Sequence, residues 1–314
     1  MTVIPNPTPP SVDVPNPDVD DGGRTLVATP GPDRLPGTSG SDNISSLADD
    51  DFVAAGAGND VVVLGGGDDS VTGGPGTDSL QGNRGADSID AGTGDDSVRG
   101  GRDNDTIGGG EGSDILFGDR GDDVVDGGAG NDNVQGNIGN DALGGDAGND
   151  TLEGGKGADT LDGGIGDDFL SGARGNDVLT GGTGADDFFF WFNANGSYGV
   201  DTLTDFNRDE GDRIVLAANF PVPEDARFNA LTGTPTGSPL PADEFAVIEN
   251  FNPAVDGDNP AAIIYDPANG LVYYNPTGTL GDEEQIARVT RTNPDGTLFY
   301  DADNPLQNTD FEIF

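Results

Sequence analysis

From Ala28 to Phe189 the chain repeats one nine-residue phrase eighteen times without a gap, and an aspartate stands at the sixth place of every copy. Cut in register, the copies include AGAGNDVVV from Ala55, GGPGTDSLQ from Gly73, GGEGSDILF from Gly109, GGAGNDNVQ from Gly127 and GGKGADTLD from Gly154. The sixth-place acids are Asp33, Asp42, Asp51, Asp60, Asp69, Asp78, Asp87, Asp96, Asp105, Asp114, Asp123, Asp132, Asp141, Asp150, Asp159, Asp168, Asp177 and Asp186. The eighth place is always apolar, from Leu35 and Ile44 through to Leu179 and Phe188. Acidic chains of low hydrophobicity are ordinarily disordered. One acidic and one apolar position kept in step over the whole array argue for a folded repeat instead.

A glycine-rich loop of six residues followed by three residues alternating outward, inward, outward is a turn and a short strand. Two copies then make one coil of 18 residues, and the loops of copies i and i+2 stack at strand spacing, about 4.8 Å. Glycine lets the loop backbone take conformations closed to other residues, which turns carbonyl oxygens inward. The sixth-place carboxylates stack with the loops, and rows of like charge this close are untenable without a counter-ion. One aliphatic side chain per nine residues is too little apolar burial to offset the entropy of ordering them. Folding is therefore expected to be coupled to a bound cation.

Composition narrows the cation and the chemistry. Thirteen basic residues face 58 acids, a net charge of −45, which repels nucleic acid and anionic membrane surfaces. The sequence has no cysteine and no histidine, and Lys156 is its one lysine, so thiolate metal sites, histidine triads and most lysine chemistry are excluded. Carbonyl and carboxylate oxygens, six to eight of them at roughly 2.4 Å, are what Ca2+ takes, whereas Mg2+ wants a tighter octahedron and holds its waters. Two rows of nine loops leave eight gaps each, hence up to about 16 ions. Filling them would bring the charge to about −13.

The phrase resembles the RTX nonapeptide G-G-x-G-x-D-x-U-x, with U a large apolar residue, most closely in the fifteen copies from Ala55. The resemblance implies an all-β fold, a right-handed parallel β-roll of about nine 18-residue coils, with a small β-rich cap after it. It implies that calcium is held by the sixth-place carboxylates and by loop carbonyls at the first four places. Carried onto this chain, those loops contain Gly58, Gly67, Gly76, Gly85, Gly94, Gly112, Gly121, Gly130, Gly139, Gly148, Gly157, Gly166 and Gly175 at the fourth place. Two copies depart from the pattern: Asp103 replaces the fourth-place glycine in GGRDNDTIG, and SLADDDFVA from Ser46 has Leu47 and Asp49 where glycines are expected.

Outside the array, residues 1–27 are rich in proline and read as an extended leader, either flexible or docked on a neighbouring subunit. Residues 28–189 are the roll, and residues 190–314 are read as the β-rich C-terminal cap. The run from Phe188 to Phe192 is expected to plug the far end of the roll. Strands are expected at Ile214 to Leu216, Ala261 to Tyr265 and Leu271 to Tyr274, the last two as a hairpin, with Pro221 to Pro260 mostly loop. The segments DTLTDF from Asp201 and GDRIVL from Gly211 resemble the region that follows RTX arrays in secreted proteins. The terminus from Asp310 to Phe314 is similar to endings read by type I secretion systems and equally reads as a last strand. The start, MTVIPNPTPP, lacks the features of a cleaved signal peptide, and no apolar run is long enough to span a bilayer. Together these point to a bacterial extracellular or cell-surface protein exported by a type I-like route.

At the third place of odd-numbered copies stand Arg84, Arg102, Arg120, Lys156 and Arg174, interrupted by Ile138. The even-numbered copies from Gly73 carry Pro75, Thr93, Glu111, Ala129, Ala147, Ile165 and Thr183 there. One edge of the roll is thus expected to bear a cationic ladder. It either pairs with loop carboxylates or grips an anionic polysaccharide or the acidic flank of another copy. The function expected is that of a calcium-binding structural or adhesive protein with no catalytic residues, part of a matrix, surface layer or filament. The alternatives are a carboxylate-based hydrolase, using Asp243 with Glu244 or Glu283 with Glu284, and an accessory subunit of a separate effector.

Overall fold

The computed structural model describes residues 23–192 and 199–218, and beyond them the strands 238–239, 245–247, 263–266, 271–274, 284–289, 291–292, 298–299 and 311–313. Residues 1–22, with most of the leader, and Asp243, Glu244 and Glu283 lie outside the described residues. Every regular element among the described residues is a strand, and nearly all belong to two long sheets, of 13 and 14 strands. Strands alternate between the sheets along the chain, so each is hydrogen-bonded to the strands one full coil before and after it. This is the parallel solenoid of about nine turns that the 18-residue period requires.

Register follows the repeat without slip through the array. In one sheet Ile107 stands beside Ile89 and Val125, and in the other Leu116 stands beside Val98 and Val134, each 18 residues apart. From about the eighth copy onward the strands have six residues: the last three places of one copy and the first three of the next, as in Ser97–Arg102 and Thr160–Ile165. Their burial alternates. The eighth place and the first place of the next copy face inward, while the seventh, ninth and third places face solvent. Val98, Leu116, Val134, Leu152, Leu161 and Leu170 are completely buried, giving two facing ladders of aliphatics one side chain wide. Between them the inward first place is mostly glycine, which keeps the core thin.

Stacking runs past both ends of the nonapeptide array. Thr25–Val27 pairs in parallel with Asn43–Ser45, and Leu26 packs onto the core beside Ile44. At the far end Asp201–Leu203 adds to Val178–Thr183, and Arg213–Ala218 adds to Asp187–Phe192. Leu203 and Ile214 thereby continue the two aliphatic ladders and are buried. Phe188, Phe189 and Phe190 are buried at this end. Phe206 closes on Phe188 with ring centroids 6.1 Å apart, and Phe169 meets Phe189 at 5.0 Å.

Both sheets then run on into the tail. Glu284–Val289 pairs with Asp201–Leu203, and the last strand, Phe311–Ile313, lies parallel to Arg213–Ala218. Ile263–Asp266 and Leu271–Tyr274 form an antiparallel pair, as the two β-branched and aromatic runs predict. Most of the described C-terminal strands are thus extensions of the roll's own sheets, which covers strand edges that would otherwise be open to pairing.

Candidate metal centres along the two loop edges

The loops of odd-numbered copies line one edge of the solenoid and those of even-numbered copies line the other. Asp51, Asp69, Asp87, Asp105, Asp123, Asp141, Asp159 and Asp177 form one row, and Asp60, Asp78, Asp96, Asp114, Asp132, Asp150, Asp168 and Asp186 the other. All sixteen side chains point inward, and their residues are at most 3 % exposed. In each, Oδ1 accepts the backbone N–H of the aspartate one coil earlier. The Asp114 amide donates to Asp132 at 2.8 Å, and the Asp132 amide donates to Asp150 at 2.8 Å. The carboxylates therefore form a continuous ladder coupling each rung to the next.

The other oxygen has no such partner. Oδ2 of all sixteen is buried and accepts no hydrogen bond. A buried anion left half-satisfied is costly, and the cost appears in the acidities. Burial, with a contribution from neighbouring carboxylates, pushes Asp87, Asp96, Asp105, Asp150, Asp159 and Asp186 up to about 7. It pushes Asp60, Asp69, Asp123 and Asp132 up to about 6. A row of this kind wants either protons or cations.

The glycines make room for it. A methyl group on Gly172 would overlap Oδ2 of Asp177 in the same loop. Gly130, at φ +139°, has the carbonyl oxygen of Gly112 against its Cα from the coil before, so a side chain there has nowhere to go. At the two departures from the repeat, Asp49 and Asp103 take up the left-handed backbone themselves, each at φ 73°, and Oδ2 of Asp51 and Asp105 stays unpartnered as in the regular copies. Aspartate is one of the few residues that enters this region at modest cost.

The model of the RTX calcium-binding nonapeptide repeat matches residues 36–71, 72–107, 108–143, 144–179 and 162–192, half of the chain. The chain belongs to this family. A search of the curated proteins finds no match. RTX repeats bind calcium and are typical of secreted bacterial proteins, and the roll they form is a structural calcium-binding fold.

The residues present fit that ion. Among the described residues no three carboxylates converge on one point, so a calcium between two rungs would take one or two aspartates and complete its sphere with carbonyl oxygens of the glycine loops. Uncharged carbonyls with few carboxylates suit a hard cation. The start of the RTX array differs from its middle. Both oxygens of Asp33 are engaged by Thr29, and Asp42 receives the Thr38 amide and hydroxyl on Oδ2 and the Arg24 amide on Oδ1.

The repeat also uses residues that the consensus reading passed over. Fifth-place side chains form a second ladder running the opposite way: Asn59, Asn131 and Asn140 accept the fifth-place amides of Thr77, Asn149 and Ala158 one coil later. The frequent Asn, Asp and Ser at this place were the available signal. Asp205 accepts the amides of Gly181 and Gly182 at 3.0 and 2.8 Å, capping N–H groups beyond the end of the neighbouring strand. The carboxylate ladder itself continues, since the Asp177 amide donates to Asp201 and the Asp186 amide to Asp212.

The cationic ladder lies on one edge, as the period requires. Arg102 stands in register with Arg120, and Lys156 with Arg174, with Ile138 between the two pairs. A groove of about 890 Å³ runs along it, lined also by Arg99, Asn83, Asn137 and Glu153. Arg99 pairs with Asp119 at 3.3 Å and stacks over Phe117. Among the described residues Arg102, Arg120 and Lys156 form no ion pair, and Arg102 faces Arg120 in the adjacent strand. No helix of the described residues is long and apolar enough to cross a membrane.

Proposed function

We propose that this chain is an exported bacterial calcium-binding protein with a structural or adhesive role and no catalytic activity, acting outside the cell or on its surface. The observation that carries the reading is the pair of rows of buried carboxylate oxygens without a hydrogen-bond partner. Calcium in the gaps, up to about 16 ions, would neutralise them and tie each rung to the next, so binding and folding become one event. The metal ligands in this reading are the sixth-place aspartates from Asp51 to Asp186 with carbonyls of their loops. The engaged oxygens of Asp33 and Asp42 make the first loops the weakest sites. Calcium is scarce in cytosol and abundant outside, so such a chain can be exported unfolded and fold on arrival.

The adhesive surface in this reading is the groove along Arg102, Arg120, Lys156 and Arg174. Cations one rung apart, interleaved with the amides of Asn83 and Asn137, suit a linear anionic polysaccharide. A calcium titration followed together by circular dichroism and light scattering tests folding and assembly. Strand signal is expected to appear at about 0.1 to 1 mM calcium. Replacing Arg102, Arg120 and Arg174 by glutamate should abolish retention on an immobilised anionic polysaccharide without changing that titration. Unchanged retention would remove the groove from the account.

A further inference from the structure

The row of odd-numbered loops does not end where the nonapeptides end. Gly199, Val200 and Asp201 rebuild the second half of a loop after a gap of 24 residues in place of 18. The Asp177 amide donates to Oδ1 of Asp201 at 3.1 Å, as each sixth-place amide does within the array. The Val200 amide donates to Asn176 at 2.9 Å, which is the fifth-place bond. Gly199 has φ +142° with the Gly175 carbonyl against its Cα, just as Gly175, at φ +157°, has the Gly157 carbonyl against its own. The strand that follows holds register, with Leu203 beside Leu179. In sequence this segment reads Gly-x-Asp-x-Leu, the last three informative places of the phrase.

Asp201 is 6 % exposed and its carboxyl is in direct contact with that of Asp177, whose Oδ2 is buried and unpartnered. Two buried carboxylates in contact hold either a shared proton or a cation between them, as the rows of the array do. The next rung places Ala287 in register with Asp201, so this row has no further carboxylate to offer there. The other row closes differently. Asp212 accepts the Asp186 amide at 3.2 Å, but its Oδ2 is taken by the Asn207 amide at 2.7 Å, which leaves no oxygen of Asp212 without a partner.

We propose a further calcium site beyond the repeat array, held by Asp177 and Asp201 with carbonyls of the Gly175 loop and of Gly199, while the opposite row is closed at Asp212 by hydrogen bonds alone. The inference rests on the calcium reading of the array. It predicts an asymmetry that the array does not. The site ties the first strand of the C-terminal region to the roll, and so makes docking of that region depend on calcium.

The test counts bound calcium by equilibrium dialysis on the full-length chain, with far-UV circular dichroism as the fold control. Asp201→Asn keeps an acceptor for the Asp177 amide and should bind one ion fewer than the unaltered chain at saturating calcium. Asp212→Asn should bind the full number. Asp201→Glu, which restores the charge, should recover the count. An undiminished count in Asp201→Asn, or an equal loss in Asp212→Asn, overturns the proposal while leaving calcium binding by the array intact. Failure of both Asp201 variants to fold would make the residue a strand cap and would also overturn it. An unaltered chain that binds no calcium would instead refute the reading of the array.

Discussion

A sixth-place aspartate has two oxygens in separate situations: Oδ1 fixes the neighbouring rung through a backbone amide, and Oδ2 has no hydrogen-bond partner and is the oxygen proposed to meet a cation. Asp132→Asn separates them, because the amide can still accept from Asp114 but carries no charge. The variant should still fold at saturating calcium, with its midpoint raised several-fold in a titration followed by circular dichroism. An unchanged midpoint would mean that the carboxylate is only a hydrogen-bond acceptor. Acidity provides a second check. In the metal-free roll burial pushes ten of these carboxyls, Asp60, Asp87 and Asp159 among them, up to about 6 to 7, so the folded form holds protons that the unfolded chain has already released. That contribution is fully present below the ordinary value and is lost as pH rises through 6 to 7. In chelator, acidification from about pH 8 to about pH 5 should therefore increase strand signal. With calcium present, the midpoint should rise as pH falls below about 6, because protons compete for the same oxygens. Strand signal in chelator that only falls on acidification would contradict this.

Strands in this fold are short, and each is stable only through its neighbours one coil away. The array was legible in the sequence because its two key places never slip: every sixth place is Asp and every eighth is apolar. The rungs after it were harder to read. Asp201 and Leu203 occupy the sixth and eighth places, as do Asp212 and Ile214, but they stand 24 and 26 residues beyond their partners rather than 18. Insertions of that size break the period while leaving the stacking intact, so the C-terminal region reads as a separate cap when its first strands are continuations of the roll. Asp205 had no periodic signal at all, since it caps the amides of Gly181 and Gly182 from outside the repeat. Asp205→Ala leaves those donors unpaired, at a cost of about 1 to 3 kcal/mol apiece. The expected outcome is a lower unfolding temperature for the calcium-saturated protein with the same number of bound ions. A reduced ion count would show that Asp205 is a ligand instead.

The assembled roll combines a thin apolar interior, one aliphatic per nine residues, with two edges of stacked anions. Neither feature is stable alone: the core is too lean, and the edges repel. Calcium resolves both, which makes it part of the architecture and ties folding to the concentration of one ion. The charge left over is uneven, with cations gathered along one groove of a strongly acidic body. The binding surface proposed along this groove would have its spacing set by the coil repeat. The most direct test of this account is far-UV circular dichroism of the full-length chain after exhaustive dialysis against EDTA at neutral pH, followed by restoration of calcium. Loss of strand signal in chelator and its cooperative return with calcium is the result expected, whereas an equally structured protein in both states would contradict it.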